Sequence, residues 1–201
     1  MDKSQGRRVI HEKFQNVILH NGASLVEGHT KNAVALNGQN QYVDLGSHYG
    51  RCLGNIDYCR HGMTVSLWVN PRELKDEDYL LSSPTYNIYY QDGSIISEFR
   101  GSNKTWIVSS VLFKPDAWQR LTLAWHPVKG LTLFINDELK GQDRRGILSK
   151  REDTPSSRHV YIGRNLLERS TKSNLLMDDI QVWYDDLDQL LATGQYRGES
   201  S

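Results

Sequence analysis

The segment "WQRLTLAWHPVKGLTLFINDELKG", Trp118 to Gly141, constrains the fold of this chain more than any other. Leu121, Leu123 and Trp125 alternate with polar or small residues, and Leu131, Leu133 and Ile135 do so again after them. A period of two places each set on one face of an extended strand. Pro127-Val128-Lys129-Gly130 makes the turn between the runs. Asn136-Asp137 offers a second tight turn, since both residue types tolerate positive φ. The same pattern recurs in "MTVSLWVN", where Met63, Val65, Leu67 and Val69 share one face and Thr64, Ser66, Trp68 and Asn70 the other. "YNIYYQDGSIISEF" holds two runs around Asp92-Gly93, a dipeptide that favours a two-residue hairpin turn. "QYVDLG", "TWIVSSVLF", "HVYIGR" and "LLMDDIQVWYDD" complete a set of evenly spaced strands, as in a sandwich or jelly roll. Trp125 is expected in the core. Trp68 is either packed under a loop or exposed on a binding surface.

Only "DDLDQLLATGQ" reads as a helix. Leu187, Leu190 and Leu191 fall at i, i+3 and i+4, Asp185, Asp186 and Asp188 crowd the N-terminal end where the helix dipole favours them, and Gly194 is placed to stop it. Loops are expected at residues 72–78 and 141–157. A chain of 201 residues holds one sizeable core, so a single domain spanning residues 1–201, with its core at about 32–191, is expected. The 24 basic residues balance 24 acidic ones. That argues against nucleic acid as a partner, which calls for an excess of positive charge. No apolar run approaches the roughly 18 residues needed to span a bilayer, so no direct membrane insertion by this chain is expected. "MDKSQGRRVI" lacks the apolar stretch of a signal peptide. The chain is therefore either a piece of a larger secreted or membrane-anchored protein or a cytosolic protein.

Four segments, in order, carry a resemblance to a known family. "NAVALNGQNQYVDLG" resembles its opening strands, and "CLGNIDYCRHGMTVSLWVN" a cysteine-bounded loop with the first long strand. "WQRLTLAWHPVKGLTLFINDELKG" resembles its central hairpin, and "VYIGRN" with "LLMDDIQVWYDDLDQLL" its closing strands and terminal short helix. Together they resemble the laminin-G-like and pentraxin-like jelly rolls of the concanavalin A-like superfamily. The resemblance implies an all-β fold, an antiparallel jelly-roll sandwich of two sheets with one short C-terminal helix, in an extracellular or secretory-pathway protein. It is specific for fold and weak for function, because this fold hosts many functions.

Cys52 and Cys59 are the only cysteines. A zinc site needs more ligands than these two supply, a C-x-x-C redox motif needs two intervening residues and not six, and a catalytic thiol with its base in a cleft stays open. Since the relatives are extracellular, the resemblance favours a local disulfide, against two buried free thiols in a cytosolic protein. Such a bridge implies an oxidising compartment.

The sequence lacks the Glu-x-Asp-x-x-Glu strand of glycosidases with this shape, and also G-x-S-x-G, H-E-x-x-H, phosphate-binding and EF-hand motifs. No catalytic residue is assigned, and no enzyme is expected. Asn103-Lys104-Thr105 is an N-glycosylation sequon between strands. Related domains often bind calcium, but no ligand set is assignable here; Asp178-Asp179 and Asp185-Asp186 read instead as organising the last strand and starting the helix. No cofactor is expected. The loop "DRRGILSKRED" carries Arg144, Arg145, Lys150 and Arg151, a candidate edge for a sulfated glycan or an acidic partner. Its acids Asp143, Glu152 and Asp153 reduce the local charge, so a solvated loop, or a protease site at Lys150-Arg151, competes with that reading. The expected function is an extracellular recognition or adhesion module, a glycoprotein, that binds a protein or glycan ligand through its loop rim or a sheet face. The alternatives are a structural spacer and a carbohydrate-active enzyme.

Overall fold

The computed structural model describes residues 14, 17–30, 32–111, 114–150, 158–166, 173–192 and 196. Its strands are β1 (Ile18–His20), β2 (Ser24–Glu27), β3 (Asn32–Asn37), β4 (Tyr42–Ser47), β5 (Met63–Glu73), β6 (Asp78–Ser82), β7 (Tyr86–Gln91), β8 (Ser94–Arg100), β9 (Lys104–Ser110), β10 (Gln119–His126), β11 (Gly130–Ile135), β12 (Glu138–Asp143), β13 (Ile147–Leu148), β14 (His159–Ile162) and β15 (Asn174–Trp183), followed by α1 (Leu187–Ala192). They form two antiparallel sheets. One has the order β1-β4-β14-β6-β7-β8-β9-β13, the other β12-β11-β10-β5-β15-β3-β2. The chain is thus the jelly-roll sandwich that the alternation implies.

Register explains the core. Leu121, Leu123 and Trp125 of β10 stand opposite Leu67, Val65 and Met63 of β5 on one side and Ile135, Leu133 and Leu131 of β11 on the other. With a period of two, every member of these rows faces the other sheet, which supplies Val43, Ile88, Ile95, Phe99 and Trp106 to the same buried cluster. Trp125 joins the layers: its ring stacks 6.4 Å from Phe99 and meets Trp106 edge-on at 5.4 Å. The hairpin turns fall where the sequence places them, with Asp92 and Gly93 at φ 50° and 77°, and Asn136 and Asp137 at 50° and 64°.

Four features depart from the sequence reading. First, β5 runs through Pro71 to Glu73, so the loop expected at 72–78 shortens. Pro71 lies past the last β10 pair, Gln119 with Val69, at a bulge opposite Leu175, the kind of position where a sheet tolerates proline. Second, the expected 141–157 loop is ordered at its start, where β12 continues to Asp143 and β13 pairs with β9. Third, Leu191 is exposed, so α1 buries Leu187 and Leu190 alone, against Trp183 and Tyr196. Gly194 lies outside the described residues. Fourth, Thr64, Ser66 and Asn70 on the outward face of β5 are also buried. Thr64 Oγ1 donates to the Asp185 carbonyl at 2.9 Å, and Ser66, Thr122 and Tyr196 form a hydroxyl chain of 3.1 and 2.9 Å, so the C-terminal elements cover this face. Trp68 is packed under a loop: His29 stacks on it at 3.9 Å and the Arg120 guanidinium sits 5.8 Å from its ring.

Candidate ligand-binding rim

Cys52 and Cys59 form a disulfide, with Cα atoms 4.8 Å apart. The bridge closes a loop of two short 3₁₀ turns, Cys52–Gly54 and Ile56–Tyr58. Leu53 and Ile56 are wholly buried and plug the end of the sandwich. The Asn55 side chain accepts from the Asp57 amide at 3.1 Å, and the Ile56 amide donates to Thr85 Oγ1 at 3.1 Å, so the loop is held by packing and hydrogen bonds as well as by sulfur. Its tip is tied to the β8–β9 turn, because the Asp57 carboxylate accepts from the Ser102 amide at 3.0 Å and from Ser102 Oγ at 2.7 Å.

Between this loop and that turn lies a cleft of about 340 Å³. Asp57, Arg60, Asn103 and Lys104 line its mouth, with Trp106 and Trp125 deeper. The basic loop runs alongside it. β13 pairs Ile147 with Thr105 and Leu148 with Lys104, the Ser149 amide donates to the Asn103 carbonyl at 3.1 Å, and Ser149 Oγ meets Thr105 Oγ1 at 2.7 Å. Gly146 lies on the Trp106 indole so closely that a Cβ there would fall 2.8 Å from Nε1; its φ of 63° also favours glycine. Arg145 and Lys150 therefore bound the segment paired onto β9, beside a cleft that Arg60 and Lys104 line. Among the described residues, none of these four side chains makes an ion pair. Asp143 is committed to the backbone: its carboxylate accepts from the amides of Arg145, Gly146 and Ile107 at 2.9–3.1 Å.

Arg144 is separated from this group. It lines a second depression, about 240 Å³, on the outward face of β10–β12 beside α1, and its Nε donates to Gln142 Oε1 at 2.8 Å. Here Lys129, unlike Arg144, is matched by carboxylates. Lys129 Nζ bonds Asp186 at 2.9 Å and Asp188 at 2.7 Å. Hydrogen bonding to Asp188, then to Asp186, raises the Lys129 pKa. Burial works to raise that of Asp186, but the bonds from Lys129 and the Gln189 amide outweigh it and hold the carboxyl below the usual carboxylate range. Arg151 lies outside the described residues. Of the expected cluster, Arg145 and Lys150 bound the segment beside the cleft and Arg144 lies in the other depression; the cleft itself is lined by Arg60 and Lys104, which sequence reasoning missed. Their signals were present but unread: Arg60 directly follows Cys59, and Lys104 is the middle residue of the sequon.

The paired aspartates act as structural groups. Asp178 Oδ2 accepts from the Thr30 amide at 2.8 Å, holding the β2–β3 turn. Asp186 Oδ1 accepts from the Gln189 amide at 3.0 Å and caps α1. Among the described residues, no three His, Cys, Asp or Glu side chains gather as metal ligands would, and no helix is long and apolar enough to cross a membrane.

Solved structures share the fold. The binding domain of Paraclostridial Mosquitocidal Protein 1 superposes with a TM-score of 0.65 at 16% identity, covering 90% of this chain and 46% of that one. Domain 4 of AbnA, a GH43 extracellular arabinanase from Geobacillus stearothermophilus solved with arabinotriose, gives 0.59 at 16%, covering 88% and 82%. The binding domain of botulinum neurotoxin DC, solved with rat synaptotagmin II, gives 0.60 at 11%, covering 89% and 46%. This chain spans just under half the length of the toxin domains it matches. A comparison with curated protein sequences finds no match. A family model matches residues 37–190, well over half of the sequence. The chain belongs to that family, a laminin G family of the concanavalin A-like lectin/glucanases superfamily.

Proposed function

We propose that this chain is a non-catalytic recognition domain of an extracellular or secretory-pathway protein, working as one unit over residues 1–201, and that it binds an acidic glycan at the disulfide-end rim. The observation that carries the reading is that Arg60 and Lys104 line one cleft and that the segment bounded by Arg145 and Lys150 is paired onto the strand carrying Lys104, with none of these four cations ion-paired among the described residues. Maintaining unpaired like charges within one rim opposes folding, and an anionic ligand relieves that repulsion. The disulfide supports an oxidising compartment. The toxin and arabinanase neighbours support ligand binding as a use of the fold. Hydrolysis of a glycosidic bond commonly uses two carboxylates at catalytic separation. Among the described residues, Asp57 is the only carboxylate lining the cleft, and it is held by Ser102.

The test is retention on a heparin column under a salt gradient. The domain is expected to elute above physiological salt, about 0.15 M, and Arg60→Ala/Lys104→Ala/Arg145→Ala/Lys150→Ala to flow through with its melting temperature nearly unchanged. Elution of the unmodified domain below that salt, or equal retention of the quadruple variant, defeats the proposal.

A further inference from the structure

We infer that Asn103 is a glycosylation site whose occupancy closes the rim cleft. The inference rests on the binding proposal above and adds its regulation. Asn103 lies in the turn between β8 and β9, which is closed by the Gly101 amide donating to the Lys104 carbonyl at 2.8 Å. It is exposed, and it lines the mouth of the cleft beside Lys104. Its carbonyl holds Ser149, while its side chain makes no hydrogen bond among the described residues, so the amide nitrogen is committed to nothing. The sequon and the cationic rim are therefore one place: Lys104 is both its middle residue and a wall of the cleft.

In the secretory pathway the donor is a lipid-linked oligosaccharide diphosphate. The Asn103 side-chain nitrogen loses a proton and bonds to C1 of the first sugar, the C1–oxygen bond to the lipid diphosphate breaks, and the lipid diphosphate leaves. The product is a bulky, hydrated chain rooted on the lip. It excludes a second polysaccharide from Arg60 and Lys104 sterically, without changing the charge of either. The same domain then exists in two forms, open when Asn103 is bare and shielded when it is occupied.

The experiment secretes the full chain from cells that attach high-mannose glycans and measures intact mass and heparin elution together. The wild type is expected to carry a glycan on Asn103 and to elute at lower salt than Asn103→Gln and Thr105→Ala, two different ways of removing the sequon. Trimming the wild type with an endoglycosidase that leaves one sugar, and so creates no new carboxylate, is expected to move its elution back toward that of the variants. Secreted wild type without a glycan at Asn103 overturns the inference. So does co-elution of fully glycosylated wild type with Asn103→Gln when both are retained. Failure of the bare variants to bind heparin overturns the underlying binding proposal instead, and the inference with it.

Discussion

Two depressions flank the β10–β11 turn, and Trp125 contributes to both. They are of similar size but differ in how charge is handled. In the groove beside α1, Lys129 has two carboxylates within 3 Å, and nearby Arg120 and Lys140 pair with Asp137 and Glu138. Among the described residues, Arg60 and Lys104 in the rim cleft have no such partners, and the local acids are used by Ser102 and by backbone amides. Charge that is already neutralised within a fold contributes to its own structure, and only weakly when exposed. Charge left unmatched is available to another molecule. The contrast, rather than the volume of either depression, is what the binding proposal for the rim rests on.

The shared wall is the first place to test the contrast. Trp125→Ala is expected to cost about 3–5 kcal/mol, since it removes a buried indole between the sheets. Both depressions should lose their shape together, and thermal unfolding with heparin elution should show joint loss. Near-normal stability would mean that the indole does not join the two layers. Opening the disulfide with Cys52→Ala/Cys59→Ala acts on the rim alone. In the chain-entropy model a ring this small contributes about 2–2.5 kcal/mol. The fold should survive because Leu53 and Ile56 still anchor the loop. Heparin affinity should fall further than overall stability, because the bridge positions Arg60. Unchanged elution would separate Arg60 from the site.

A milder change tests the tether itself. Asp57→Ala removes the acceptor of two Ser102 bonds at an exposed position. The expected loss is about 1 kcal/mol, read by chemical denaturation. Heparin elution is pulled two ways, up by the lost negative charge and down by a loosened loop. A shift to higher salt would show that the charge dominates; a shift to lower salt, that the tether does.

The fold was legible wherever apolar and polar side chains alternate along a strand, even where, as in β5 and β10, the polar face is covered as well. In β10 and β11 the alternation of Leu121, Leu123 and Trp125 with Leu131, Leu133 and Ile135 survives into the register residue by residue. It failed where that contrast vanishes. All four residues of β2 are exposed, so no alternation exists to read. In β6 a bulge between Tyr79 and Leu81 turns consecutive leucines inward and erases the period. The rim was half legible. Arg145 and Lys150 stood out as a local run, but Arg60 and Lys104 join them only through the β9–β13 pairing and the Asp57–Ser102 tether. Which cations are unpaired depends on where carboxylates lie in space: Lys129 sits 57 and 59 residues from its two partners.

The smallest expected effect concerns the groove, where charge should matter to pH and not to glycan. The Asp186 carboxyl titrates below its ordinary value in the fold, so between the folded and unfolded pKa values the unfolded chain binds more protons. Its contribution is therefore fully present above the ordinary carboxylate pKa, about 4, and fades as pH falls through the depressed one. Asp186→Asn is the informative variant, since asparagine still caps α1 through the Gln189 amide while the charge is gone. Thermal unfolding should show a deficit at neutral pH of about 0.2–1 kcal/mol, the usual range for a screened pair near the surface, that shrinks toward zero under acid. Lys129→Ala should behave alike. Asp186→Asn should elute from heparin at or slightly above wild-type salt, and Lys129→Ala within a narrow margin of it, because Lys129 is already neutralised by Asp186 and Asp188. Parallel stability curves across the acid range would remove Asp186 from the account. A large loss of heparin retention in Lys129→Ala would move the binding surface from the rim to the groove and reverse the contrast between the two depressions.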